Sequence, residues 1–163
     1  VTGVQTCALP ICFLRKVGLF SNLDPKQLEE LEAICHEIKL APSEVLFREG
    51  DEPEFFYVIV KGRIRISRII PGMGEEALAI LESGSYFGEM EIFEPMPRAA
   101  QALAHSSCVL QAIRIADLHA AMNSDRELTV GLLWNFVLTL SERLRNTNDK
   151  VMATFALSKF AGG

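Results

Sequence analysis

The chain has 163 residues, enough for one domain with an ordinary core or a small domain with an appendage. Hydrophobic residues make up 49% and charged residues 23%, a globular balance that excludes a disordered chain. A net charge of −5 without a Lys/Arg run argues against direct nucleic-acid contact and against docking to an anionic membrane.

No apolar run reaches the roughly 18 residues that a bilayer span requires. The longest, Phe55–Val60, has strand length. Cys7, Cys12, Cys35 and Cys108 are irregularly spaced, with no CxxC and no Cys/His cluster of zinc spacing. Reduced thiols in a cytoplasmic protein are therefore expected, with neither a disulfide framework nor a metal. Residues 1–11 (VTGVQTCALPI) match the forward translation of a common sequencing adapter and are expected to be non-native. They lack the basic n-region and apolar h-region of a signal peptide.

Leu23 to Cys35 predicts a helix: Asp24 suits the N-cap, Pro25 the first helical position, and Leu28, Leu31, Ile34 and Cys35 recur at 3–4 spacing. Pro42 ends it and a strand begins at Val45-Leu46-Phe47, followed by a turn over Arg48-Glu49-Gly50-Asp51. Phe55–Val60 predicts a buried strand, and Lys61-Gly62 turns the chain. Arg63 to Ile69 alternates strictly, as a strand with one wet face does. Pro71-Gly72-Met73-Gly74 reads as a loop, Ala77–Leu81 as a strand, and Ser83-Gly84-Ser85 as a turn. Ala99–Ala104 and Cys108–Ile115 predict two more strands. The period then changes from 2 to 3.6: a short helix over Ala116–Met122, and a long one from Glu127 to at least Val151. Short, evenly spaced strands followed by helices predict the α+β class, an antiparallel β-roll of jelly-roll type with helical flanks.

The chemistry concentrates in Phe87-Gly88-Glu89-Met90-Glu91-Ile92-Phe93-Glu94-Pro95-Met96-Pro97-Arg98-Ala99-Ala100. A glycine after a strand opens a short helical turn, two prolines cut it off, and an arginine follows. Gly88 lets backbone come close to a ligand. The N–H groups opening the turn point at an anion. Arg98 supplies a two-pronged donor for phosphate, and Glu89 an acceptor for neighbouring hydroxyls.

This segment closely resembles the phosphate-binding cassette of cyclic-nucleotide-binding domains, found in protein kinase A regulatory subunits, cyclic-nucleotide-gated channels and the bacterial catabolite activator protein. Phe47-x-x-Gly50-Asp51, then Phe55-Phe56-Tyr57-Val58-x-x-x-Gly62, is similar to the family's first signature, and the likeness runs from about Leu19 to Val151. The resemblance implies that Glu89 accepts the ribose 2′-hydroxyl, that Arg98 pairs with the cyclic phosphate, and that backbone N–H groups of Gly88 and Ala99 help cradle it. Ala99 and Ala100 complete the cassette. Alanine directly after the arginine goes, in the family, with cAMP rather than cGMP.

One position departs from the pattern. The family has a small residue two places after the glutamate, and this chain has Glu91. The expectation is that Glu91 points to solvent and favours the helix start. The other reading sets its carboxylate about 8 Å from the phosphate, where repulsion at an effective dielectric near 20 is roughly 2 kcal/mol.

Along the last helix Leu133, Val137, Leu140, Leu144, Thr147 and Val151 recur with a 4–3 rhythm, a seam suited to a second copy of the chain. Phe136 and Trp134 are expected to pack on the β-roll from another face. Thr147 and Asn148 interrupt the seam. They are either a polar register device or simple fraying or, by resemblance to the catabolite activator, contacts to adenine. Arg143 falls where that resemblance places a cation near the ribose-binding glutamate; a solvated arginine is the alternative.

The expected organisation is a non-native segment 1–11, a nucleotide-binding β-roll with flanking helices over 12–122, a long helix over 123–160 that serves as lid and dimer contact, and a tail at 161–163. Residues 151–163 are too few for a helix-turn-helix module, so no DNA-reading half is expected in this chain. His36, His105 and His119 are scattered and form no nucleophile or metal constellation, which argues against an enzyme. Two functions stand: a sensor whose ligand is a cyclic nucleotide, with cAMP expected, and a dimeric interaction module with a degenerate pocket.

Overall fold

The computed structural model describes residues 11–94 and 96–161, with side chains described for 13–94 and 96–156. The expectations for the adapter-like first ten residues, Cys7, Pro95 and the two terminal glycines lie outside these residues. Helices α1 (Ile11–Leu14) and α2 (Pro25–Ala33) precede strand β1 (Cys35–Leu40), with a 3-10 turn at Gly18–Phe20 between them. Strands β2 (Val45–Phe47), β3 (Phe55–Lys61), β4 (Arg63–Ile70), β5 (Gly74–Glu82) and β6 (Tyr86–Phe87) follow. Helix α3 (Met90–Phe93), strands β7 (Gln101–Ala104) and β8 (Cys108–Arg114), and helices α4 (Ile115–Ser124) and α5 (Arg126–Ala161) complete the described chain.

The α+β class holds. Two four-stranded antiparallel sheets form, ordered β1-β8-β3-β6 and β2-β7-β4-β5. The continuous apolar run of β3 has a physical reason. Successive side chains point to opposite faces of a strand. Tyr57 and Ile59 enter the core between the sheets, with Ile64, Phe87, Leu110 and Ala112. Phe56 and Val58 face the other way, into a core shared with Leu28 and Leu31 of α2, Leu118 of α4 and Leu128, Leu132 and Phe136 of α5. Both faces of this strand are dry, so both sets of positions are apolar.

Gly62 turns β3 into β4 at φ 92°, a region that favours glycine, and a Cβ there would lie 2.3 Å from the Ser107 carbonyl oxygen. The Asp24 side chain accepts from the Gln27 N–H while the Gln27 side chain accepts from the Asp24 N–H, a reciprocal cap with Pro25 behind it. Asp125 caps α5, accepting from the N–H groups of Glu127 and Leu128 at 2.8 and 3.0 Å.

Several boundaries differ from expectation. The first long helix ends at Ala33, and Cys35 opens β1, a strand the 3–4 spacing had absorbed into that helix. Pairing with β8, from Cys35↔Ile113 to Leu40↔Cys108, settles the conformation there. Strand β5 is longer than Ala77–Leu81 because the whole of it zips onto β4. Ala99 and Ala100 form a bend, and β7 starts only at Gln101. Phe136 is buried but Trp134 is 63% exposed, contrary to the expectation that both pack on the roll. Two positions on a helix differ by about 200° and cannot share a face. The seam residues Leu133, Val137, Leu140, Leu144 and Val151 are exposed as well. Cys35 and Cys108 are buried thiols, each donating to a backbone carbonyl.

Candidate functional site

The cassette leaves β6 at Gly88, whose φ of 74° turns the chain sharply into Glu89 and α3. A Cβ on Gly88 would lie 2.7 Å from Arg98 Nη1, so the glycine is what lets the guanidinium lie against this turn. The far end of the cassette is fixed by backbone. Gly50 donates to the Arg98 carbonyl at 2.8 Å, and the Arg98 N–H donates to the Asp51 carbonyl at 2.9 Å. Asp51 in turn accepts from the Arg48 N–H at 2.8 Å. The Gly50-Asp51 turn is thus a bracket for Arg98.

The guanidinium is only 3% exposed. Its Nη2 donates to the Phe55 carbonyl at 2.5 Å, and its Cζ lies 4.2 Å from the centroid of the Phe47 ring. Its Nη1 donates to Glu91 Oε2 at 3.0 Å. Nε is buried with no partner among the described residues. Glu91 is therefore not a solvent-facing residue. Its side chain is 7% exposed and paired, because the loop after α3 returns Arg98 to the inner side of the helix and offers a counter-charge there.

Glu89 is buried and forms an ion pair with Arg143 of α5, whose Nη2 also donates to the Tyr86 carbonyl at 2.8 Å. Burial pushes the Glu89 carboxyl above its ordinary value of 4.5, with Arg143 pulling the other way and Glu91 adding to the rise. A carboxyl raised in the folded state contributes stability that is complete below the unfolded value and is lost as pH rises through the folded one. Stability should thus fall as pH rises above 4.5, and Glu89→Gln should flatten that fall. Urea midpoints between pH 4 and pH 7 check it. An identical slope in the variant would assign the effect elsewhere.

These groups border a cleft of about 360 Å³ between the cassette, the β4–β5 ribbon and α5. Gly88, Glu89, Ala99, Ala100, Arg143 and Thr147 all line it. Arg98 is not among the lining residues, whereas Glu91, to which it is bonded, is. Asn148 is exposed and does not line the cleft, whereas Asn146 and Lys150 do. Neither was singled out from the sequence, although they fall three and seven positions after Arg143, on one helix face with Thr147. Phe47, beneath the guanidinium, carries no local signal of that role. Among the described residues no group of three or more His, Cys, Asp or Glu is placed to hold a metal, and no helix is long and apolar enough to cross a membrane.

A glycine-led turn, a bracketed arginine and a buried carboxylate thus come together on a β-roll, beside one cleft under a long helix. The chain belongs to the cyclic nucleotide-binding domain family, whose profile matches residues 37–125. It is similar to the CRP-like cAMP-activated global transcriptional regulator of Mycobacterium tuberculosis, 26% identical over 138 residues, which are 85% of this chain and 60% of the regulator. It is 32% identical to the cAMP-dependent protein kinase regulatory subunit of Blastocladiella emersonii over 88 residues, 54% of this chain and 22% of that one. The chain thus spans less than two thirds of these relatives. Among solved structures, the N-terminal domain of a transcriptional regulator from Streptomyces coelicolor A3(2) superposes with a TM-score of 0.70 at 34% identity, over 85% of this chain and 94% of that one. The regulatory domain of Toxoplasma gondii PKA, crystallised with cAMP, superposes with a TM-score of 0.63 at 32% identity, over 68% and 42%.

Proposed function

We propose that this chain is a cAMP-binding regulatory module that performs no catalysis. The observation that carries the reading is the position of the Arg98 guanidinium, packed against the Gly88 turn, which lines the cleft together with Glu89. The cyclic phosphate would pair with Arg98, the ribose hydroxyl with Glu89, and the purine would lie toward Thr147. The size of the cleft suits one nucleotide. Ala99 and the cAMP-activated relatives support cAMP as the ligand. Arg143 joins α5 to Glu89, so a ligand that competes for this carboxylate would shift α5 between two positions. The exposed apolar seam of α5 fits a second copy of the chain, giving a cytoplasmic homodimer.

Calorimetric titration with cAMP and cGMP tests the reading. Binding of cAMP, tighter than cGMP and lost in Arg98→Ala, is the expected result. Absence of heat from either nucleotide at millimolar concentration would overturn it. One observation favours a second reading: Glu91 already occupies Arg98. On that reading the chain is a dimeric interaction module with a degenerate pocket, and dimerisation is indifferent to Arg98→Ala.

A further inference from the structure

We propose that Glu91 is a built-in competitor for the phosphate subsite, so that an anionic ligand binds by exchanging one counter-ion of Arg98 for another. The inference rests on the function proposed above and concerns how strongly that site takes phosphate.

Apart from Nε, which is buried with no partner among the described residues, Arg98 is held on its other sides. Nη2 is committed to the Phe55 carbonyl, the ring of Phe47 lies under the guanidinium, and the Gly88 turn is too close to admit even a methyl group. The guanidinium cannot turn out toward a ligand, so the ligand's anion must come to it. Of the cleft-lining residues packed against the guanidinium, Phe47, Gly88 and Glu91, it is Glu91 that takes the Nη1 hydrogen bond a phosphate would need. Of the other charges on the cleft wall, Glu89 is paired with Arg143, which leaves exposed Lys150 as the other cation. A phosphate entering such a cleft gains the Arg98 contact only as Glu91 loses it. If Glu91 stayed in place, it would repel the phosphate at close range.

Glu91 therefore sets affinity for the phosphate without touching the purine or the sugar. The neighbouring residues argue for a swing of its side chain over a shift of the whole helix. The Ile92 carbonyl is bonded to His119 of α4 at 2.7 Å, and the Phe93 ring packs on Phe136 of α5 at 5.0 Å. Glu91 becomes a specificity device as well. Ligands that carry an anion must displace it; an uncharged nucleoside need not.

Titrating cAMP and adenosine separately into the wild type, Glu91→Ala and Glu91→Gln separates charge from space. Both variants are expected to bind cAMP about tenfold more tightly, with adenosine affinity within about twofold of wild type. Glu91→Gln keeps the shape of the side chain and guards against a misfolded alanine variant. Wild-type cAMP binding that Glu91→Gln leaves unchanged or weakens would overturn the inference while leaving the proposed function standing. Equal tightening for adenosine would also overturn it, since the effect would then be one of room in the cleft. Folded wild type and folded variants that all ignore cAMP would remove the proposed function, and this inference with it.

Discussion

Arg98→Ala is expected to lower the free energy of unfolding by about 3–5 kcal/mol even with no ligand present. The reason is not that the Arg98–Glu91 pair is strongly favourable. Taking two charges out of water costs much of what their attraction returns. The loss arises because the substitution strands Glu91, whose side chain is 7% exposed, without a counter-charge and leaves the Phe55 carbonyl without its donor. The backbone bracket from Gly50 and Asp51 is untouched, so the variant isolates the side chain. Removing both charges should behave differently. Arg98→Leu combined with Glu91→Leu should recover most of the loss, because well-packed apolar groups in place of a buried ion pair are often neutral or better. Urea denaturation of the wild type, Arg98→Leu, Glu91→Leu and the double variant gives the coupling directly. An Arg98→Ala protein within about 0.5 kcal/mol of wild type would mean that Glu91 reaches water.

The same pair shows where sequence reasoning stops. The cassette was legible because its glycine, short helix, prolines and arginine are consecutive, and their order encodes a local conformation. The faces of β3, and of β4 as far as Ile66, were legible for a similar reason, but the alternation expected through Ile69 fails at the register shift between Ile66 and Ser67, beyond which Ser67 is buried and Ile69 is exposed. Glu91 was not legible. An acidic residue in a first helical turn normally signals water. Its burial depends on Arg98, seven residues on, brought back by a backbone bond to Asp51 that nothing near Glu91 encodes. Strand β1 was lost because Cys35 sits in helical register with Leu28 and Leu31, while the partner that makes it a strand, Ile113, is far away in sequence. The misplacement of Trp134 was avoidable, since Phe136 two positions on excludes it from the same helix face.

Phe136→Ala is expected to cost about 3–5 kcal/mol, and Trp134→Ala less than about 0.5 kcal/mol, although Trp134 is the larger side chain. Phe136 is 2% exposed and packs edge-on against three rings: Phe56 of β3 at 6.4 Å, Tyr86 of β6 at 5.9 Å and Phe93 of α3 at 5.0 Å. Its ring touches the roll and the cassette together. Leu128 and Leu132 continue its stripe, and Asn135 beside it donates to the Leu19 carbonyl at 2.8 Å and accepts from Asn22. An alanine at 136 therefore opens a cavity at the point where the helix is attached, whereas alanine at 134 removes a ring that is mostly in water. Two measurements check the pair. Urea midpoints give the two costs, and amide hydrogen exchange should show lost protection along α5 in Phe136→Ala alone. Equal destabilisation by the two substitutions would mean that α5 lies on the roll by a different face. If cAMP binding depends on how α5 closes the cleft, Phe136→Ala should weaken it as well, while Arg98 and Glu89 remain intact in the same protein.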